Sequence, residues 1–174
     1  MKKALTVVDY QNDFVSGALG FDGAEALDEK IVKRIEECRE QSYDIIFTFD
    51  THDENYLETE EGRKLPVEHC IEGTWGWQAF GKVRENILPG DKCFFKETFG
   101  SLELGDYLQE AEYEEVELCG LVSNICVFAN AAIAKAACPN AKIKVNRSLT
   151  SSADAKTEEK AMEILENLHV DVIK

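Results

Sequence analysis

Short apolar runs alternate with amphipathic stretches along this chain. The apolar runs are rich in β-branched and aromatic residues, and their length fits buried strands. They cover residues 4–8, 44–49, 93–96, 115–120, 142–145 and 170–173. Residues 25–40 and 155–168 repeat apolar side chains with helical spacing, and residues 123–137 are alanine-rich and apolar nearly all round, which is typical of a buried helix.

Strands that alternate with helices predict βαβ units. The expected fold is therefore α/β, a three-layer, doubly wound and mostly parallel sheet of about six strands with helices on both faces. The length of 174 residues favours a single domain over 1–174, and no linker or internal repeat divides it.

One long segment, residues 51–89, interrupts this alternation. It is polar, lacks clear periodicity and contains several glycines and Pro66. Long segments of this kind in a compact domain are usually functional or disordered. Because it follows a strand end, where open α/β sheets bind ligands, we expect it to be an active-site and metal-binding loop.

Charge and cysteine content exclude several classes of protein. The net charge of −15 opposes binding to nucleic acid or to anionic membranes, and no apolar run is long enough to span a bilayer. The first apolar run ends at Asp9, which is too early for a signal peptide. The six cysteines form no CxxC pair, which favours a reduced, cytoplasmic protein.

Chemically useful side chains stand at the predicted strand ends. Asp9 ends the first strand and Lys96 the third, and Cys126 lies in the turn between the fourth strand and its helix. Parallel strands present their carboxyl ends at one edge, so a nucleophile, a base and a cation converge there. A helix N-terminus lowers a thiol pKa, and its free N–H groups can bind an oxyanion.

Each of these residues also has an ordinary structural interpretation. Cys126 fits a buried structural cysteine, Asp9 fits a cap or turn residue, and Lys96 fits a lysine that extends its amine from a strand end to solvent. Only the combination of the three favours catalysis.

A second group of residues suggests a metal site. Asp50 and His52 are two residues apart at a strand end, so they point to the same side, and His69 follows in the long loop. Glu61 is a further candidate ligand. These donors suit Zn²⁺, Mn²⁺ or Fe²⁺, although loop histidines are also common as plain surface residues. His169 is interpreted as a surface or helix-end residue.

Five segments, taken in order, resemble the isochorismatase-like cysteine hydrolase superfamily and, within it, the nicotinamidases. They are residues 7–14 (VVDYQNDF), 49–52 (FDTH), 69–76 (HCIEGTWG), 95–101 (FKETFGS) and 119–127 (CGLVSNICV). The resemblance implies a catalytic triad of Asp9, Lys96 and Cys126. It also implies an oxyanion hole from the backbone N–H groups of Val122 and Cys126, beside a cis peptide bond near Val122–Ser123.

The resemblance further implies a substrate site. A divalent metal, often zinc, would be held by Asp50, His52 and His69 and would bind the pyridine nitrogen of the substrate. Phe14 and Phe99 match aromatic positions that flank the substrate ring. The sequence departs from the family where an aromatic residue before His69 is replaced by Pro66, and Trp75 is the expected replacement in the substrate wall.

The resulting functional hypothesis is a hydrolase acting on a linear amide bond. As a nicotinamidase of NAD metabolism it would convert nicotinamide and water to nicotinate and ammonia through a thioester on Cys126. The alternatives are another cysteine hydrolase of the superfamily, acting on a carbamoyl or ureido amide, and a non-catalytic metal- or ligand-binding protein. The expected partners are a small-molecule amide and, by resemblance, further copies of the chain in a homo-oligomer.

Overall fold

The computed structural model describes residues 2–174, and its core is a six-stranded sheet. The strands are β1 (Lys3–Val8), β2 (Asp44–Asp50), β3 (Lys92–Lys96), β4 (Glu115–Leu121), β5 (Lys142–Ser151) and β6 (Asp171–Ile173). Their order is β3-β2-β1-β4-β5-β6, and every neighbouring pair is parallel. The predicted α/β fold with six mainly parallel strands is confirmed.

Helices cover both faces of this sheet. They are α1 (Asn12–Val15), α2 (Asp28–Glu40), α3 (Glu60–Lys64), α4 (Gly81–Glu85), α5 (Leu102–Ala111), α6 (Cys126–Ala137) and α7 (Ala155–Asn167). Helices α2 and α4 pack with Leu5 and Val7 of β1 on one face, whereas α5, α6 and α7 pack with Val116 and Leu118 of β4 on the other. Because side chains alternate between the two faces along each strand, the strands contribute to two separate apolar cores, one on each face of the sheet. No helix among the described residues is long and apolar enough to cross a membrane.

The structure adds elements that the hydrophobic pattern did not reveal. Helix α5 was not predicted, because it is short, contains Gly105 and buries few apolar side chains, Leu104 and Leu108 among them. Strand β5 continues past the predicted end into a polar stretch, after an irregularity in its pairing with β4. Residues 51–89 hold α3, α4 and a short 3₁₀ helix at Tyr56–Glu58, so this segment is more ordered than a loop.

Strand order reverses between β1 and β4, and the two strands approach closely there. The chain builds β2 and β3 on one side of β1 and then returns to place β4 on the other side. At Gly120 the backbone has a φ of +106°, and an added Cβ would lie 2.1 Å from the carbonyl oxygen of Val8. Because Gly120 has no side chain, β4 can lie this close to Val8, and Asp9 follows Val8 directly. The close approach therefore sets the spacing between the ends of β1 and β4.

Replacing Gly120 by alanine tests this close approach. We expect Gly120→Ala to lower the free energy of unfolding by about 3 kcal/mol, because it combines an unfavourable φ with a clash against backbone. Urea denaturation measures the loss. Gly90→Ala is the matched control, since nothing lies within 4 Å of the added Cβ, and equal stability of the two variants would contradict the prediction.

Candidate active site

Asp9 is a fully buried carboxylate at the end of β1. Its φ of +44° is unusual for a residue other than glycine. The backbone N–H of Asp9 donates to the Thr48 carbonyl at 3.1 Å, and the Thr48 hydroxyl donates to Asp9 Oδ1 at 2.6 Å. Neighbouring β2 therefore holds both the backbone and the side chain of Asp9 in place.

Lys96, the last residue of β3, connects the polar groups at this edge of the sheet. Its Nζ lies 2.5 Å from Asp9 Oδ2 and 3.5 Å from Asp50 Oδ1, and it donates to the Thr98 carbonyl at 2.9 Å. The same nitrogen is 3.8 Å from Cys126 Sγ. One buried ammonium thus contacts two carboxylates and the thiol.

Cys126 is the first residue of α6 and is only 5% exposed. Within the described residues, the backbone N–H groups of Val122 and Cys126 donate no hydrogen bond. Both are therefore free to bind an oxyanion, as an oxyanion hole requires. The cis peptide bond lies between Leu121 and Val122, one residue earlier than expected.

Burial and the charges of neighbouring side chains shift the pKa values of Cys126, Asp9 and Lys96. Burial raises the pKa of the Cys126 thiol well above its ordinary value; Asp9 adds to this rise and Lys96 opposes it. The lowered thiol pKa expected at a helix N-terminus is therefore not found. Burial also raises the pKa of Asp9 despite the nearby Lys96, whereas the negative charge of Asp9 raises the pKa of Lys96 against the effect of burial.

Four predicted metal ligands meet beside these residues. Asp50 Oδ2 lies 3.0 Å from His52 Nε2 and 3.3 Å from His69 Nε2, and Glu61 Oε1 is 3.8 and 3.7 Å from the same nitrogens. One ligand atom from each of the four residues lies within 4.8 Å of the others. Two imidazoles and two carboxylates at this spacing fit a divalent ion such as Zn²⁺, Mn²⁺ or Fe²⁺.

A pocket of about 800 Å³ lies beside the metal cluster and reaches Ile125, the residue before α6; Asp9, Lys96 and Cys126 are not among its lining residues. His52 and Glu61 line one side, and Thr98, Phe99 and Ile125 line another. Phe99 is among the residues that line this pocket, and its contact with a substrate ring stays a prediction.

The other two predicted aromatic residues are not at this wall. Trp75 is 57% exposed and lines a separate depression with Ala79 and Arg84, because its backbone carbonyl is tied to the Asn12 side chain while its ring points outward. Trp75 therefore does not line this pocket, and its place in the substrate wall stays a prediction. Phe14 is buried and packs against the His69 ring at a centroid distance of 5.6 Å, so it contacts a candidate ligand rather than the pocket.

Two buried amides near the site were missed from the sequence. The Gln11 side chain exchanges two hydrogen bonds with the backbone of Asp50, at 2.8 and 2.9 Å. Asn130 bonds to the backbone of Cys126 and of the segment after β3. The available signal for Asn130 was an uncharged polar residue in the middle of an apolar helix, which needs partners when buried.

Zinc binding tests the four-residue cluster. We expect His69→Asn to weaken Zn²⁺ binding by at least about 100-fold, the upper end of the loss seen when even the outer partners of metal ligands are changed. Competition with a chromophoric chelator measures the affinity. His169→Asn is the control, because His169 lies outside the cluster and asparagine tolerates its positive φ; similar affinities for both variants would refute the assignment.

Comparison with known proteins places this arrangement in a family. The Isochorismatase domain model matches residues 3–174. An isochorismatase family protein of Bacillus subtilis, PncA, is 31% identical over 141 residues, which cover 74% of this chain and 75% of that protein. The nicotinamidase of Saccharomyces cerevisiae is 25% identical over 172 residues, covering 74% of this chain and 79% of that one.

A solved structure shows the same fold. The pyrazinamidase of Pyrococcus horikoshii, determined in complex with zinc, has a TM-score of 0.88 and 24% identity, over 100% of this chain and 99% of that chain. The resemblance found in the five sequence segments is therefore confirmed, and the chain belongs to the isochorismatase family.

Proposed function

We propose that this protein is a nicotinamidase, which hydrolyses nicotinamide to nicotinate and ammonia through a thioester on Cys126. Family membership makes it an amide-hydrolysing enzyme. The observation that carries the specific proposal is the contact of Lys96 with both groups of residues, at 2.5 Å from Asp9 and 3.5 Å from Asp50. This contact joins the thiol–carboxylate group to the metal cluster in a single site.

The first half of the reaction forms the thioester. Asp9 takes the proton of the Cys126 thiol, and the thiolate attacks the amide carbon. The raised pKa of Asp9 makes it a stronger base than an ordinary aspartate. The N–H groups of Val122 and Cys126 stabilise the oxyanion, each by about 3 kcal/mol in comparable sites. Protonated Asp9 then gives its proton to the leaving nitrogen, and ammonia departs.

The second half of the reaction releases the acid. Asp9 takes a proton from water, and the resulting hydroxide attacks the thioester carbonyl. Sulfur then leaves as the thiolate, which recovers the proton held by Asp9. Lys96 stays charged throughout and holds the Asp9 carboxylate in place, consistent with the raised Lys96 pKa.

A divalent metal is part of this proposal. Asp50, His52, His69 and Glu61 would hold it, and zinc is favoured because imidazole and carboxylate donors suit it, with manganese and iron as alternatives. When bound, the ion supplies a Lewis-acidic position for the ring nitrogen of the substrate. The protein orients the amide through the pocket wall, which includes Phe99 and Ile125.

Ammonia release from nicotinamide tests the proposal. The zinc-loaded wild-type protein should release ammonia, and Cys126→Ala should lower kcat by at least about 1,000-fold, because the covalent route is lost. Cys138→Ala is the matched control, a buried cysteine at the far end of the same helix. Absence of turnover by the wild-type protein would exclude nicotinamide, whereas full activity of Cys126→Ala would exclude the mechanism.

Charge around the pocket favours a neutral amide over a carbamoyl amino acid. The carboxylate residues that line it are Asp53, Glu60, Glu61, Glu72 and Glu97. Lys64 is the only lysine or arginine lining it in the described part of the chain, and its Nζ lies 2.7 Å from Glu60 Oε1. A pocket lined mainly by negative charge disfavours anionic ligands relative to neutral and cationic ones.

A substrate panel at low salt tests this preference. We expect kcat/KM for nicotinamide to exceed that for a carboxylate-bearing ureido amide by at least about tenfold. The double variant Glu72→Gln, Glu97→Gln should raise kcat/KM for the anionic amide, while Glu163→Gln on α7, which does not line the pocket, should not. A wild-type preference for the anionic amide would support the alternative hydrolase instead.

Three further sequence predictions stay predictions. A single domain over 1–174 is expected from the length of the chain, a cytoplasmic location from the six cysteines without a CxxC pair, and a homo-oligomer from the family resemblance.

A further inference from the structure

Asn130 is a fully buried amide on α6, one helical turn after Cys126. Its Nδ2 donates to the Cys126 carbonyl at 2.9 Å and to the Phe99 carbonyl at 3.0 Å. Its Oδ1 accepts from the Ser101 backbone N–H at 3.0 Å. A single side chain therefore joins the first turn of the nucleophile helix to the segment that follows β3.

The segment of residues 99–101, which follows β3, lies directly on α6. A Cβ added at Gly100, between the two residues that Asn130 binds, would lie 2.6 Å from Ile133 Cδ1 on that helix. The backbone of residues 99–101 therefore runs close to the helix. The Asn130 amide hydrogen-bonds with the Phe99 carbonyl and the Ser101 N–H, as polar groups in the interior require.

The same segment determines where Lys96 and the pocket wall lie. The carbonyl of Thr98 accepts a hydrogen bond from Lys96 Nζ at 2.9 Å, and Phe99 lines the pocket. Lys96 Nζ is in turn 3.8 Å from Cys126 Sγ. The segment therefore helps to set the distance between the ammonium and the thiol, together with the Asp9 and Asp50 carboxylates that also contact Lys96 Nζ.

We propose that Asn130 is a positioning residue for the reaction, which fixes the Lys96 ammonium and the Phe99 wall relative to Cys126. The catalytic reading of this geometry rests on the proposed function. Asn130 does not line the pocket, and the hydrogen bonds of its side chain go to backbone groups, so it acts through the backbone of residues 99–101 and of Cys126. Its loss should slow the chemical step more than it weakens substrate binding.

Steady-state kinetics of Asn130→Ala with nicotinamide test the proposal. We expect kcat to fall by at least about tenfold while KM changes by less than about threefold, since small misplacements of reacting groups cost rate. Asn146→Ala is the matched control, because Asn146 is also buried and hydrogen-bonded, to Glu117 and Ser148, away from the pocket. It should lose thermal stability to a similar degree and keep its kcat.

A second measurement is independent of the substrate. The rate of Cys126 alkylation by iodoacetamide at one fixed pH, followed by peptide mass, should fall at least about threefold in Asn130→Ala, since thiolate forms less readily without a fixed cation. If the wild-type protein does not hydrolyse nicotinamide, the proposed function fails, and this comparison still decides the role of Asn130.

Other results would overturn the proposal. It is wrong if kcat and the alkylation rate of Asn130→Ala stay within about twofold of wild type, or if Asn146→Ala loses as much of both. If Asn130→Ala does not fold, Asn130→Ser replaces it. Serine can still bond to the Cys126 carbonyl one turn back but is too short to reach both Phe99 and Ser101. The same loss of kcat is expected.

Discussion

The ion pair between Lys96 and Asp9 is the interaction on which the rest of the site depends. Both groups are buried, and each charge would be costly in the interior without the other. The ammonium also neutralises part of the charge of Asp50, so two carboxylates can lie at adjacent strand ends without strong repulsion. The candidate base and the candidate metal ligand therefore share one counter-ion, and the two halves of the site are electrostatically linked.

The topology of the sheet makes this pairing possible. The strands β3, β2, β1 and β4 lie side by side in that order, so Lys96, Asp50, Asp9 and the turn before Cys126 all reach the same edge. Gly120 allows β1 and β4 to approach, and Thr48 on β2 holds Asp9 by two hydrogen bonds. Backbone contacts between strands thus position a site whose members are distant in sequence.

Burial gives this site a particular acid–base character. Burial raises the pKa of the Cys126 thiol more than the Lys96 cation lowers it, and burial likewise raises the pKa of Asp9. A thiol beside a carboxylate of raised pKa fits the proposed first step, in which Asp9 takes the thiol proton before the thiolate attacks. It differs from the sequence-based expectation of a thiol activated by a helix N-terminus, which considered local backbone charge without the desolvation that the surrounding core imposes.

Most of the alternating elements, the parallel sheet and the residues at its strand ends could be predicted from the sequence alone, because hydrophobic periodicity is local and parallel strands share an edge. Asp9, Lys96, Cys126, Asp50 and His52 are predicted on that basis, whereas His69 and Glu61 are candidates from the long loop; the side chains of both groups lie close together. Within residues 51–89 no periodicity constrains the side chains, so tertiary contacts determine their directions, and Trp75 lies at a separate depression rather than at the pocket. The roles of Gln11 and Asn130 were likewise set by backbone groups that folding brings from distant segments, which no local pattern encodes.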